Sequence, residues 1–285
     1  MNFDHAANFI WQHGRLLERR ILEYFFFNGS KDYILKALKA YQNDDGGFGN
    51  AIEPDLRAPN SQPLFMEFGL RVLYDCRIKD KEISNKACDF IANHADLNMG
   101  IPAIFPSSIN YPKAEHWNLP FSTKPSFSRL TGLVGLLKWQ GIEHSWLEEA
   151  AEICLKDIFS KTYDDAHTIL TAFCLIESMP QSDYIKGLFH KLSKELYTAK
   201  FFRLDVETQG YGLTPLEFAS TSSSYCRSIF SDEIISKHLD VLESQQDDDG
   251  GWLIDWKPPG DTAKFEWRAY KTLKSIMTLK SYGKI

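Results

Sequence analysis

The stretch Gln42-Asn43-Asp44-Asp45-Gly46-Gly47-Phe48-Gly49 returns near the other end of the chain as Gln246-Asp247-Asp248-Asp249-Gly250-Gly251-Trp252. Three roles fit such a pair: an acidic catalytic site, a metal loop, or a structural joint used twice. Adjacent carboxylates raise one another's pKa, which suits general-acid work only when they are buried. A calcium loop needs oxygen donors at alternating positions closed by a bidentate Glu, and glycines stand at the following positions here. The joint asks least of the sequence. Its double glycine permits a left-handed turn after a helix, the Asp and Gln side chains bond exposed backbone groups, and Phe48 or Trp252 plugs the gap between helical hairpins. Each copy follows a polar-ended helix and precedes a Pro-containing loop and an aromatic helix.

Around the two segments, apolar residues recur with helical spacing and strand-like alternation is scarce, so the chain reads as all-α. Asp4 can cap a first helix running to about Phe27, and Asn28-Gly29-Ser30 breaks it before a second, Lys31 to Gln42, capped by Ser30. Pro63 opens a helix to about Cys76, with Glu82 to Ala95 as its outer partner. Helices follow from Ser126 to Trp139, from the capping box Ser145-Trp146-Leu147-Glu148 to Phe159, from Asp164 or Asp165 to Ser178, and from Ser182 to Tyr197. A short helix near Ser222 to Phe230, one from Ser231 to Gln245 and one from Asp261 to about Ser281 complete 11. The first can pair with the last. Two long irregular stretches interrupt the series. The first carries Pro102, Pro106, Pro112, Pro120 and Pro125 together with Phe105, Tyr111, Trp117, Phe121 and Phe127, which marks it as packed and as a candidate lid or rim.

The chain has 285 residues, 44% of them hydrophobic and 14% aromatic, consistent with one folded domain over residues 1–285. A net charge of -6 without long basic runs argues against nucleic acid as partner. No apolar run approaches the length that crosses a bilayer. Five widely spaced cysteines, Cys76, Cys88, Cys154, Cys174 and Cys226, read as buried thiols in a reducing compartment, and no signal peptide is visible, so a cytoplasmic address is expected. No metal or cofactor motif stands out, and the oligomeric state is open.

Gln-x-x-Asp-Gly-Gly-(Phe/Trp) at the ends of outer helices resembles the joint motifs of the terpenoid cyclase and protein prenyltransferase superfamily. The segments GGFGNAIEPDLRAPNSQPL (46–64), QGYGLTPLEFA (209–219), GGWLIDWKPPG (250–260) and EWRAYKTL (266–273) resemble a group of bacterial prenyltransferase-like proteins of about this length. The resemblance implies an α/α toroid, inner helices surrounding a central cavity that takes a small or medium ligand, by analogy an isoprenoid. It does not extend to the catalytic signatures. There is no Asp-x-Asp-Asp tetrad for alkene protonation, no Asp-Asp-x-x-Asp for magnesium, and no Asp-x-Cys zinc pattern.

Chemistry is therefore expected just downstream of the joints. Glu53, Asp55 and Arg57 lie on the loop entering an inner helix, where two carboxylates beside a guanidinium can act as acid and base or clamp a polar substrate, or simply hold the loop as ion pairs. Glu67, among Phe65, Met66 and Phe68, needs a partner. The second copy offers Glu266 and Arg268, with Trp252, Trp256 and Trp267 as a stacking wall or as core. His116 and Trp117 sit in the proline-rich stretch, where a histidine titrates near neutral pH and is a candidate for proton transfer or an idle surface group. Tyr211, with Glu207, lies in the second irregular stretch as a rim contact. The catalytic candidates are thus Glu53, Asp55, His116 and Glu266. The binding candidates are Arg57, Glu67, Trp117, Tyr211, Trp252, Trp256, Trp267 and Arg268. Paired carboxylates and tryptophan platforms equally suit a carbohydrate-active enzyme, and a non-catalytic ring that binds a protein or peptide is a third possibility.

Overall fold

Residues 1–118 and 120–285 are described in a computed structural model; Leu119 and the side chain of Phe121 lie outside the described residues. Among them the chain forms twelve α-helices and no strands. In chain order these are α1 (Phe3–His13), α2 (Leu16–Phe26), α3 (Lys31–Lys39), α4 (Pro63–Asp75), α5 (Lys81–His94), α6 (Phe127–Gln140), α7 (Ser145–Ser160), α8 (Ala166–Glu177), α9 (Asp183–Leu196), α10 (Pro215–Phe218), α11 (Asp232–Ser244) and α12 (Asp261–Ser281). Short 3-10 turns at Pro106–Ser108, Glu115–Asn118, Pro120–Thr123 and Tyr225–Ile229 punctuate the irregular stretches, and the last replaces the short helix expected there.

The caps explain where expectation and structure part. Asp165, Ser182 and Ser231 cap α8, α9 and α11 as anticipated, each accepting backbone N–H groups of the first turn. The expected first helix is instead two. Gly14 and Arg15 adopt extended backbone between α1 and α2, and a Cβ on Gly14 would lie 2.6 Å from the Ile10 carbonyl oxygen. Asn2, not Asp4, caps α1 by accepting from the His5 N–H. At α7 the cap moves one residue back, to His144, whose Nδ1 accepts from the Trp146 N–H. Gly260 precedes α12 without a side-chain cap, leaving Asp261 in the first turn, where its charge favours the helix dipole.

The chain contacts cluster into two compact units, residues 39–200 and residues 1–38 with 201–285. In the first unit α6 packs on α4, α7 and, most closely, α8. That approach depends on a small residue, since a Cβ at Gly135 would lie 2.7 Å from the Leu175 backbone nitrogen. In the second unit α12 packs on α1 and α2, so the two ends of the chain meet there as expected. All five cysteines are free and buried. Burial pushes the Cys88 thiol up to about 12 and the Cys154 and Cys174 thiols to about 11, so they remain protonated.

Each unit contains one Gly-Gly joint, and the two are built alike. The Asn43 N–H donates to Gly47 O at 2.8 Å, and the Asp247 N–H to Gly251 O at 2.9 Å. Asp45 Oδ1 accepts from the Gly47 N–H, and Asp249 Oδ1 from the Gly251 N–H. Gln42 Nε2 donates to Gly46 O and Ile83 O; Gln246 Nε2 donates to Gly250 O and Asn2 O. Phe48 and Trp252, both 0% exposed, follow as the plugs. The Phe48 ring lies on Gly69 of α4, where a Cβ would come within 2.5 Å of it. Trp252 donates its indole N–H to Leu242 O and its backbone N–H to Thr272 Oγ1 of α12. Asp45, Asp247 and Asp249 therefore serve as joint residues, as the structural alternative expects.

Gly46 and Gly250 have φ of 84° and 92°, and a Cβ on either would stand 2.4 Å from a carbonyl oxygen, that of Lys86 or of His5. Gly141, with φ 72° and nothing within 4 Å of its Cβ position, isolates the conformational part of that requirement. In denaturant unfolding, Gly141→Ala is expected to cost about 1–2 kcal/mol, and Gly250→Ala measurably more, because the turn must withdraw from α1.

Candidate acid-base site

Beyond the first joint the chain turns sharply. Asn50 and Ala51 take positive φ, of 55° and 54°, and the loop closes on itself through Asn50 N–H to Pro59 O and Ala51 N–H to Ala58 O. Glu53 and Asp55 flank Pro54 at the tip of this loop. The proline-rich stretch lies against it. The Arg57 N–H donates to Pro112 O, the Ala114 N–H to Asp55 O, and Leu56 and Lys113 form an isolated antiparallel bridge. Further along, the Leu64 N–H donates to Ala103 O and the Phe105 N–H to Gln62 Oε1, so the stretch is fastened to the start of α4 as well. These bonds bring the 3-10 turn Glu115–Asn118, and with it His116 and Trp117, over the two acids.

Three of the four catalytic candidates therefore come together in one unit. Glu53 is 2% exposed and Asp55 1%, while His116 is the group through which the cluster reaches solvent. His116 Nε2 lies 3.6 Å from Asp55 Oδ2, a close approach longer than a hydrogen bond. Burial, reinforced by the Asp55 charge, pushes the Glu53 carboxyl up to about 8. The Trp117 indole and the N–H groups of Asp55 and Leu56 oppose that rise without cancelling it. The Trp117 N–H is near enough to act on the carboxyl electrostatically, yet it does not reach hydrogen-bond geometry. Both it and Glu53 Oε2 are buried without a hydrogen-bond partner among the described residues. Burial lowers the His116 imidazole below its ordinary value. Near neutral pH the cluster thus pairs a protonated carboxyl with an unprotonated imidazole.

The other candidates fall elsewhere. Arg57 continues the same loop, half-buried, beyond the bridge to Lys113. Glu67 on α4 has found its partners in Arg129 of α6, which donates to it, and in Arg71 one turn along, at 3.9 Å. Neither arginine was singled out from the sequence. Glu266 is half-buried on α12 in the other unit. Arg268 pairs with Asp249 of the joint, not with acids of its own helix, and Trp252 is core. Trp256 and Trp267 meet edge to face at 5.2 Å, an aromatic cluster that Tyr270 extends. Tyr211 is exposed beside Phe201. Among the described residues no group of three or more His, Cys, Asp or Glu is placed to hold a metal ion, and no helix is long and apolar enough to cross a membrane.

No protein-family model matches the chain, and no curated protein matches it. A solved structure described as "Crystal structure of a protein from Actinoplanes" is similar in fold, with a TM-score of 0.58 over 98% of both chains at 11% identity. At that identity the likeness concerns the fold alone.

The raised Glu53 pKa carries a stability consequence. Between about pH 4.5 and about 8 the unfolded chain releases a proton that the folded chain retains, so this group's contribution to stability is lost as pH rises through that window. Glu53→Gln, which cannot ionise, should flatten the decline. The difference in unfolding free energy, variant minus native, is expected to be small at pH 5 and to grow towards pH 8 when measured by denaturant titration.

Proposed function

We propose that this protein is an enzyme that moves a proton on a small or medium ligand at the Glu53–Asp55–His116 cluster. The observation that carries this reading is Glu53 Oε2: a buried carboxyl oxygen, on a group protonated near neutral pH, with no hydrogen-bond partner among the described residues. A structural ion pair would be expected to ionise both partners and to satisfy their oxygens. A neutral acid held dry instead becomes a strong donor to a ligand atom that gains negative charge or takes up a proton. Asp55 has two effects: its charge holds the Glu53 proton in place, and it stabilises the His116 imidazolium that forms when the ring accepts a proton. Trp117 supplies an apolar wall and an indole N–H that a ligand oxygen can occupy.

The architecture that best accommodates the site in our reading is an α/α toroid of the terpenoid cyclase and prenyltransferase kind, with the ligand in its central cavity. The all-helical chain and the paired Gly-Gly joints at helix ends support this, and the resemblance makes an isoprenoid the first substrate class to test. The free, buried thiols favour a cytoplasmic address.

The test is a turnover screen of prenyl alcohols, prenyl diphosphates and oligosaccharides with the native protein and two variants. Glu53→Gln is expected to lower kcat by about 100- to 10,000-fold, the usual share of a general acid, without lowering the melting temperature. His116→Ala should remove the acid limb of the pH profile, leaving the loss of activity above about pH 8 that reports Glu53. Glu53 titrating near 4.5 by carboxyl NMR, or turnover that survives Glu53→Gln, would sink the assignment.

A further inference from the structure

Three of the segments singled out in the sequence take no part in the acid-base site, and all three reach one place in the unit formed by residues 1–38 and 201–285. The segment 266–273 supplies Trp267 and Lys271, one turn apart on α12 and therefore on one face of it. The segment 250–260 supplies Asp255 and Trp256, and the segment 209–219 supplies Glu217 of α10. The Trp256 and Trp267 rings meet edge to face at 5.2 Å, and Tyr270 stands edge-on to Trp267 at 5.6 Å. Asp255 and Glu217 are exposed and near enough to Lys271 to act on its charge. Both tryptophans, Tyr270 and Lys271 are half-buried, so each keeps part of its surface open.

Lys271 differs from half-buried lysines elsewhere in the chain. Lys113 donates to the carbonyls of Ile109 and Tyr111, Lys138 donates to Glu148, and Lys191 pairs with Glu195. Lys271 has no hydrogen bond and no ion pair among the described residues, although two carboxylates stand nearby. Glu217 is held by its own cap, its Oε2 accepting from the Thr214 N–H and hydroxyl. Burial lowers the Lys271 ammonium below its ordinary value, and Asp255 and Glu217 oppose that without restoring it. The other ionisable groups on this part of α12 are Glu266, Tyr270 and Lys274, while Arg268 is turned to Asp249. An amine partly withdrawn from water and bonded to no carboxylate has the properties of a nucleophile.

We propose that Lys271 is an imine-forming amine for an aldehyde or ketone whose apolar or aromatic body lies against Trp256 and Trp267. The neutral amine adds to the carbonyl carbon: the C–N bond forms, the C=O bond breaks, and the oxygen leaves as water with the two amine hydrogens. Protonation from solvent gives an iminium, whose positive charge Asp255 and Glu217 favour as they favour the ammonium. Two half-buried indole rings beside the amine offer apolar surface, which suits an aromatic carbonyl compound better than a short polar one. The inference does not involve Glu53 and survives the failure of that reading.

The experiment is reductive trapping on the native full chain near neutral pH. Benzaldehyde with sodium cyanoborohydride converts each imine to a benzylamine by hydride addition, and peptide mass spectrometry reads the rate at each lysine. Lys31 and Lys81, exposed and likewise without a partner among the described residues, are the internal standards. Lys271 should be labelled about tenfold faster than either, because a lowered pKa enlarges its neutral fraction. With acetaldehyde, which lacks the aromatic body, that preference should fall to about a third or less. Trp256→Leu should lower the benzaldehyde preference about threefold or more and leave the acetaldehyde rate at Lys271 unchanged. Labelling of Lys271 no faster than of Lys31 and Lys81, an equal preference with the two aldehydes, or a benzaldehyde preference undiminished in Trp256→Leu overturns the proposal. The first two comparisons use the native chain, so they decide the question even if the variant does not fold.

Discussion

The contact on which each unit depends is the seat of a glycine turn on a helix carbonyl. Gly46 against Lys86 O and Gly250 against His5 O leave no room for a side chain, and the left-handed backbone at both positions disfavours one in any case. Once the turn is seated, the shared geometry of the pair follows. Gln42 or Gln246 ties it to the receiving helix, and Phe48 or Trp252 is driven into the core behind it. Truncating either aromatic would open a cavity of the kind that costs about 3–5 kcal/mol. Local backbone chemistry and hydrophobic burial thus act on neighbouring residues in the same direction, which lets one short segment fix the path of the loop that follows.

That path determines what the downstream acids become. The Asp side chains of the joints remain near the surface, where Asp45 and Asp249 accept from turn amides and Asp247 and Asp249 pair with Arg268. Glu53 and Asp55, a few residues later, are carried under the proline-rich stretch and lose their water. Arg268 draws the Asp249 carboxyl down, whereas burial pushes Glu53 up. Proximity of like charges is common to both places, and desolvation separates them.

Much of the architecture was legible. Helix limits fell close to the sequence reading wherever a polar cap announced them, as at Asp165, Ser182 and Ser231, and the joint was recognisable because glycine pairs followed by an aromatic have few structural uses. Where the signal was weaker the reading slipped. Gly14 sits inside an apolar periodicity that runs through it, and only its close approach to Ile10 O reveals why the first helix stops. The repeat Phe-Ile-x-x-His at 9–13 and 90–94 was available in the sequence and would have paired the receiving helices, but its meaning depends on knowing that those rings support a glycine turn. The meeting of His116 with Asp55 had no local sign at all. It arises from bridges such as Leu56 with Lys113, between irregular segments whose register no periodicity encodes.

The buried and half-buried ionisable groups then divide by whether the fold answers them. Glu67 is answered by Arg129 and Arg71, Tyr74 donates to Glu177 at 2.6 Å, and Arg268 spends its donors on Asp249, Asp247 and a carbonyl. Each of these could be mistaken for a site from composition alone, and each is satisfied internally. Glu53 differs: its neighbours supply another negative charge, an indole N–H that stops short of bonding Oε2, and two backbone N–H groups that only partly oppose the rise. A group buried at that energetic disadvantage destabilises the folded chain above its unfolded pKa, and the Trp117 indole and the Asp55 and Leu56 N–H groups offset the cost only in part. Among these groups, Glu53 is the one whose burial the surrounding residues leave least answered.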